Sequence, residues 1–351
     1  MKKSLLALAV LGAFAGVASA QSSVTLDGTV DLNGKYVKND GADRRVSLSQ
    51  DGINSSQFRV SGREDLGGGL WAGFNLNAGV NADTGTANSK FWNRRSTVSL
   101  GGGFGEVRLG RDYTPTFWAS TVYDPFGTNG VGSSLNYYRG AGSNSTTTLV
   151  RADNAISYLT PAGLGGFYGQ FTVAASENAA TNPGRYVGGR VGFGAGPFDI
   201  SIAGAQQRLD ATAGQPQAKT YNIGGSYDLG VVKLMGWYYR NTLSTTGIDN
   251  KENVFSLGAV VPIGQGEIHA SYGQSKLDNN ISATSTKVDQ FALGYVYNLS
   301  KRTALYSTVA RLSNKNGTTS IIGGGNPYGS NGSSFTNPKS TGLEFGLRHF
   351  F

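Results

Sequence analysis

Apolar and polar side chains alternate with a period of two along most of the chain, and this pattern constrains the fold more than any other feature. Such a period is typical of β-strands that have one apolar and one wet face. Because a soluble β-sandwich shows the same alternation, the pattern predicts many strands without selecting an architecture. The clearest instances cover residues 24–33, 57–63, 267–272 and 291–297.

The connections between the predicted strands do indicate an architecture, because short and long connections alternate strictly. Seven short turns and eight long polar loops join sixteen strands and leave both chain ends on the short-turn side, as in transmembrane β-barrels. The predicted turns are 65–69, 101–105, 161–166, 194–197, 228–230, 262–266 and 298–302. The predicted loops are 37–55, 79–91, 113–153, 176–185, 207–219, 241–253, 276–288 and 313–341.

The N-terminal residues have the order of a secretory signal. Lys2 and Lys3 precede an apolar run over 5–17 and the small residues of 18–20, so we predict a signal peptide over 1–20 and one barrel domain over 21–351. No later run of 18 apolar residues is present, so the domain would enter a membrane as strands. The last of these ends on the aromatic Phe351.

Composition excludes several classes of protein. The chain has no cysteine, so no disulfide framework is possible. Removal of Lys2 and Lys3 lowers the formal net charge from +8 to +6, and without a long basic run this excess does not indicate nucleic-acid binding.

Catalysis has little support in the sequence. Only His269 and His349 are present, and His349 shares the outward parity of the last strand, so a His-centred triad or metal site would rest on His269 alone. Because no catalytic or nucleotide-binding motif is found either, we expect neither an enzyme nor a cofactor or metal.

Four segments resemble the Gram-negative porin family, particularly its neisserial and β-proteobacterial branch: SVTLDG at 23–28, FRVSGREDLG at 58–67, GEVRLGR at 105–111 and GLRHFF at 346–351. The resemblance implies a sixteen-stranded all-β antiparallel barrel, usually a homotrimer, whose third loop folds inward. It also implies that Phe351 is the signal read by the barrel-assembly machinery. One departure is Asp27, where the family more often has an aromatic residue.

The third loop, from Tyr113 to about Asp153, is too rich in aromatic residues for a freely solvated segment. Folding against the inner wall would bury those rings, whereas the alternative is an aromatic lid above the membrane. Residues 123–127 would form the turn at the tip, and Asp124 would place a charge at the pore constriction.

Strand parity assigns arginines to the two faces of the barrel, since an arginine that faces lipid is costly. It places Arg59, Arg63, Arg95 and Arg108 inside and Arg94 outside, with Arg151 inside if its strand extends that far. A ring of Arg59, Arg95 and Arg151 opposite the third loop would favour anions. The alternative is that these arginines pair with lumenal carboxylates such as Asp27, Asp31, Glu64 and Glu106, which would leave weak selectivity.

The expected function is passive diffusion of small hydrophilic solutes through an outer-membrane pore, with a preference for anions. The expected partners are outer-membrane lipid, two further copies of the chain, the barrel-assembly machinery and small anionic or neutral solutes, with both termini in the periplasm. One alternative is a specific channel for an anionic nutrient. A barrel enzyme or a surface adhesin, which would work through its loops, is the alternative from another class.

Overall fold

The computed structural model describes residues 23–138, 150–177, 184–208, 217–245, 247–279, 284–323 and 337–351. The predicted signal peptide over 1–20 lies outside these residues. The strands are β1 Ser23–Asn39, β2 Arg45–Gln50, β3 Gln57–Gly67, β4 Leu70–Asn81, β5 Thr86–Ala87, β6 Arg95–Gly102, β7 Gly105–Tyr113, β8 Arg151–Leu159, β9 Phe167–Ala174, β10 Tyr186–Ala195, β11 Phe198–Arg208, β12 Gln217–Asp228, β13 Lys233–Thr245, β14 Ile248–Ile263, β15 Gly266–Asn279, β16 Thr286–Asn298, β17 Thr303–Lys315 and β18 Lys339–Phe350.

These strands close into one antiparallel barrel, in which β18 pairs with β1 from Thr29↔Phe350 to Asn39↔Ser340. Two short chain segments account for the difference between eighteen strands and sixteen. β2 and β3 pair with successive halves of β1 and together form one barrel strand, interrupted by residues 51–56. β5 pairs only with the end of β4. The predicted sixteen-stranded barrel is therefore confirmed.

The alternation of turns and loops is also confirmed, but strands extend into several of the predicted loops. Of the loop predicted at 37–55, residues 45–50 are β2. The loop predicted at 241–253 is a tight hairpin in which Thr245 pairs with Ile248. The ladder continues into sequence whose outward positions are polar, so loss of apolar alternation does not mark the end of a strand.

Outward and inward faces differ as the alternation predicts. On β1, Val24, Leu26 and Val30 are exposed on the outer wall, while Asp31 and Asn33 are buried on the inner wall. Because lipid surrounds the outside of such a barrel, its apolar residues face outward and its polar residues face the lumen. No helix among the described residues is long and apolar enough to cross a membrane.

The third loop folds into the lumen, as predicted, and the alternative of an aromatic lid is wrong. It contains the helix α1, Pro115–Thr121, and a 3₁₀ turn over Ser134–Asn136. Thr114 caps α1 by accepting a hydrogen bond from the Phe117 amide at 3.3 Å, and Pro115 suits the first helical turn. The buried rings of the loop form the core of the molecule with inner-wall residues: Tyr123, Phe126, Tyr137, Tyr138, Trp237 and Tyr239.

Inward-facing glycines of the wall make room for this loop. A Cβ atom at Gly258 would overlap the Pro125 ring, and one at Gly273 would overlap the Tyr137 hydroxyl. At Gly342 the new atom would lie 3.0 Å from Val131. The loop therefore packs directly on the backbone of the wall.

Candidate pore constriction

The third loop is bonded to one side of the barrel. Its hydrogen bonds to the wall reach strands from β9 to β18, and they include Asn222 Nδ2 to the Thr116 carbonyl at 3.1 Å and the Val131 amide to Glu344 Oε1 at 3.1 Å. Near the centre of the loop, Gln290 Nε2 donates to the Gly132 carbonyl at 3.0 Å. The strands that carry most of the predicted arginines, β3 to β8, therefore lie across the lumen from the loop.

A second segment, residues 51–56 between β2 and β3, also turns into the lumen. Asp31 on the inner face of β1 holds it, because its carboxylate accepts the backbone amides of Gly52 at 3.2 Å, Ile53 at 3.0 Å and Asn54 at 2.8 Å. The Tyr306 hydroxyl donates to the same carboxylate.

The two inward segments are tied to each other. The Gly130 amide donates to the Asp51 carbonyl at 2.9 Å. Ser55 Oγ donates to Asn129 Oδ1 at 3.0 Å. The constriction is therefore built from two segments, of which the sequence indicated only the third loop.

Three of the predicted arginines face the lumen but belong to ion pairs. Arg59 lies 2.8 Å from Asp27. Arg95 lies 3.5 Å from Asp112. Arg108 bonds to the same Asp112 at 2.6 Å and to Glu106 at 2.8 Å. The structure therefore agrees with the alternative stated above for these three arginines, namely that they pair with lumenal carboxylates.

Arg151 is different, because no described carboxylate lies within ion-pair distance of it. Its guanidinium stacks 4.2 Å from the centre of the Tyr113 ring and donates to the Tyr113 hydroxyl at 2.6 Å. Its Nε atom is buried and has no hydrogen-bond partner among the described residues.

Arg94 joins Arg151 at the same phenol, which contradicts the prediction that it points outward. Its guanidinium donates to the Tyr113 hydroxyl at 3.0 Å and to Gln57 Oε1 at 2.8 Å. Gln57 shares the inward parity of Arg59 on β3. Because Arg94 precedes the first residue of β6, strand parity does not fix its direction. Two guanidinium groups thus share one neutral acceptor.

Other arginines of the inner wall lie on aromatic rings. Arg63 is 4.3 Å from the Trp71 ring near the turn side, and Arg190 is 4.8 Å from the Tyr168 ring. Arg348 is 4.1 Å from the Phe350 ring. No described carboxylate lies within ion-pair distance of Arg63, Arg190 or Arg348.

Asp124 does not line the open pore, contrary to its predicted place at the constriction. It is 5% exposed, and its Oδ1 atom accepts the Phe126 amide at 2.9 Å. Burial raises the pKa of Asp124 above its ordinary value. A hydrogen bond of 2.9 Å from the Gly127 amide to the Asp124 carbonyl closes the predicted turn, so this residue shapes the loop.

Phe351 and the histidines occupy structural positions. Phe351 exchanges backbone hydrogen bonds of 3.1 and 3.2 Å with Gly28 at the seam of the barrel, and its role as an assembly signal stays a prediction. His269 lies 2.9 Å from Glu267 and contacts the Pro125 carbonyl at the third loop. Within the described ranges, no group of three or more His, Cys, Asp or Glu residues is arranged to hold a metal ion.

A sequence profile described as "Gram-negative porin" matches residues 7–317, which is most of the chain. The chain belongs to the Gram-negative porin family. Its barrel therefore lies in the outer membrane and forms a channel for passive diffusion, and it is not an enzyme.

Relatives of this porin agree over its full length. It is 42% identical to outer membrane porin protein 32 of Delftia acidovorans, with all of both chains covered. It is 30% identical to an outer membrane porin protein of Bordetella pertussis, again over both whole chains. Among solved structures it resembles an anion-selective porin from Comamonas acidovorans, with a TM-score of 0.85 and 39% identity over 94% of this chain and all of that chain.

Sequence reasoning missed Arg94 and the segment 51–56. The segment was hidden inside a predicted external loop, although Asp51-Gly52 followed by Asn54, Ser55 and Ser56 is a typical turn composition. The inward carboxylate of Asp31 gave no such signal, because Arg348 lies directly opposite it on β18.

Proposed function

We propose that this porin prefers anions and that Arg94 and Arg151, which meet where the third loop begins, contribute more to the preference than the ion-paired arginines. The observation that carries the proposal is their shared neutral acceptor, the Tyr113 hydroxyl, with no described carboxylate within ion-pair distance of either. Arg59, Arg95 and Arg108 contribute less, because Asp27, Asp112 and Glu106 offset their charges.

The size of the effect follows from Coulomb's law. At about 6 Å in a water-like dielectric, one unpaired guanidinium lowers the energy of an anion by roughly 0.7 kcal/mol and raises that of a cation equally. One such arginine thus changes the anion-to-cation ratio by about tenfold before salt screens it. The similarity to a solved porin whose title calls it anion-selective supports the same direction.

The test is the zero-current potential of single channels in a KCl gradient across a planar bilayer. Arg94→Gln with Arg151→Gln should move that potential strongly toward the cation-selective sign. Asp27→Asn with Arg59→Gln is the matched control, because it removes a lumenal arginine together with its partner and leaves the net charge unchanged. Equal shifts in the two double variants, or a cation-selective wild type, would contradict the proposal.

A specific channel for a small organic acid or phosphate is a second candidate. It is favoured by the buried, unbonded Nε atom of Arg151 next to Arg94, because an anionic ligand could accept from both guanidinium groups. Saturable block of the KCl conductance by millimolar phosphate or succinate, lost in Arg151→Gln, would support it. Linear addition of their currents would support general diffusion.

We further propose, from family membership, a homotrimer with the turn side and both termini in the periplasm. Native mass spectrometry of the detergent-extracted barrel measures the number of copies. Protease added to intact cells tests the orientation, because it should cut the barrel only at the loops.

A further inference from the structure

A recess of about 370 Å³ opens in the inner wall between the constriction and the turn side of the barrel. Its floor consists of short inward residues that pair in register on neighbouring strands. Ser61 on β3 pairs with Thr25 on β1, and Gly73 on β4 pairs with Ser99 on β6. We call this feature the turn-side recess. Its volume lies within the range of about 300 to 1,000 Å³ that is typical of sites for one small molecule.

Arg63 and Trp71 form the rim of the recess nearest the turns. Arg63 follows Arg59 by four residues on β3, which places it roughly 13 Å nearer the turn side. Its guanidinium stacks 4.3 Å from the centre of the Trp71 ring. The indole rests on the backbone of the wall, because a Cβ atom at Gly101 would overlap it. The ring therefore holds the guanidinium in place beside the recess.

The donors of Arg63 are free to bind a solute. Arg63 is exposed to the lumen, and no residue that the structure describes accepts a hydrogen bond from it. The hydroxyl groups of Thr25 and Ser61 on the floor are likewise without a hydrogen-bond partner in the described part of the chain. A guanidinium presents two parallel N–H groups that match the two oxygens of a carboxylate. This side of the recess is therefore suited to hold a carboxylate.

The opposite side of the recess, on β4 and β7, offers acceptors. Asn75 Oδ1 is buried and has no hydrogen-bond partner among the described residues. The Glu106 carboxylate accepts from Ser99 Oγ at 2.6 Å and from Arg108 at 2.8 Å, and it also lines the recess. Hydroxyl groups of a solute can donate to these oxygens, whereas a second carboxylate on the solute would be repelled by Glu106.

The net charge of the recess matches that of a monoanion. Arg95 and Arg108 also line it, but their charges are offset: Asp112 lies 3.5 Å from Arg95 and 2.6 Å from Arg108, and Glu106 lies 2.8 Å from Arg108. Two positive and two negative charges cancel, so Arg63 leaves one positive charge in excess. A dianion such as a dicarboxylate or a phosphate ester would bring a second charge that nothing in the recess offsets.

We propose that the turn-side recess binds sugar acids, which carry one carboxylate on a chain of hydroxyl groups. The carboxylate accepts from Arg63. The hydroxyl groups bond to Thr25 and Ser61 on the floor and donate to Asn75 and Glu106 on the opposite side.

This site is separate from Arg94 and Arg151, which meet where the third loop begins. Binding to the recess does not depend on the anion preference proposed for those residues, because it is measured at equilibrium without ion flow. In the channel, the recess raises the concentration of sugar acids at the turn-side mouth.

The binding test uses saturation-transfer NMR on the purified full-length mature barrel in neutral detergent. The probes are gluconate and two six-carbon controls. Sorbitol has an alcohol in place of the carboxylate, and hexanoate has the carboxylate without the hydroxyl groups. Gluconate should bind saturably, and both controls should bind at least about tenfold more weakly, because each lacks one set of hydrogen bonds.

Three variants make the test specific. Arg63→Gln should weaken gluconate binding by about tenfold or more, because it removes the charged donors. Ser61→Leu fills the floor of the recess and should abolish binding. Arg190→Gln is the matched control, since Arg190 also stacks on an aromatic ring of the inner wall without a described carboxylate partner but lies outside the recess. It should change the affinity by less than about twofold. Heat-modifiable gel migration verifies that each variant is folded.

Equal affinity for sorbitol or hexanoate, unchanged affinity in Arg63→Gln, or an equal loss in Arg190→Gln would overturn the proposal. Arg94→Gln with Arg151→Gln should leave the gluconate affinity unchanged even where it alters ion selectivity. A loss of gluconate binding in that double variant, with Arg63→Gln unaffected, would assign the solute to the constriction and not to the recess.

Discussion

Asp31→Asn should release the segment 51–56 from the inner wall. In the wild type, one carboxylate accepts three backbone amides from this segment and the Tyr306 hydroxyl. An asparagine keeps one oxygen and presents an amino group to the rest. Its best orientation places the oxygen toward the Ile53 and Asn54 amides and the amino group toward Tyr306, so the Gly52 amide loses its acceptor.

The size of the loss follows from the kinds of bond involved. A hydrogen bond to a charged group contributes about 1.5 to 3 kcal/mol, against about 1 kcal/mol for a neutral pair. Weakening the two retained bonds and losing the one to Gly52 therefore costs roughly 3 kcal/mol, which raises the population of the released segment about 150-fold. The remaining ties are the bonds of Asp51 and Ser55 to the third loop, the bonds of Asp51 and Ser56 to the Asp31 backbone, and the bond of Asn54 to Arg348.

Single-channel recording in planar bilayers measures this release. A segment that leaves the lumen should increase the mean conductance, and exchange between its two positions should increase the open-channel noise. Asp27→Asn is the matched control, because Asp27 lies on the same strand and the same face but bonds to Arg59 and not to the segment. We expect the control to shift ion selectivity without added noise. A folded Asp31→Asn channel with wild-type conductance and noise would refute the reasoning.

Two further predictions concern the third loop. Gly130 has a φ of 64°, and a Cβ atom there would overlap both the Gly52 carbonyl and the Glu344 carboxylate. Gly130→Ala should therefore displace the loop tip and destabilise the barrel by about 1 to 3 kcal/mol. Wild-type thermal stability and conductance would contradict this. Burial raises the pKa of Asp124 above its unfolded value of 3.8, so its contribution to stability is full at low pH and is lost as the pH rises through the folded pKa. The unfolding temperature of Asp124→Asn relative to wild type should therefore increase between pH 3 and pH 8. A constant difference across that range would contradict this.

Strand parity predicted the direction of side chains wherever the ladder is regular. Arg59, Arg95 and Arg108 face the lumen because each lies within a paired strand whose outward neighbours are apolar. Parity does not extend beyond a break in the ladder. It assigned Arg94 to the outside, although this residue precedes β6 and reaches Gln57 across the inner wall.

Arg151 shows the same limit in another form. Parity counted back from Ile156 places it inside, yet the register shifts opposite Gly110 and Asp112, and Asn154 has a φ of 53°. Arg151 meets the lumen because it stacks on Tyr113, where the third loop begins.

Carboxylate partners were the part of the site that a single sequence could not assign. The sequence named Asp27 and Glu106 as possible partners of the arginines but could not place Asp112, which binds Arg95 and Arg108 together. Asp124 was placed at the constriction because it lies at the loop tip, whereas packing of Phe126 and Tyr123 turns the tip toward the wall. Such contacts join residues far apart in sequence, and no local pattern records them.

The glycines beneath the third loop imply that the width of this pore is set from the far side of the loop. Gly258, Gly273 and Gly342 never meet a passing solute, yet they determine how closely the loop approaches the wall. A single methyl group added at one of them would push the loop toward the arginine strands and narrow the passage. Pore calibre can therefore change during evolution while every charge that a solute encounters stays the same.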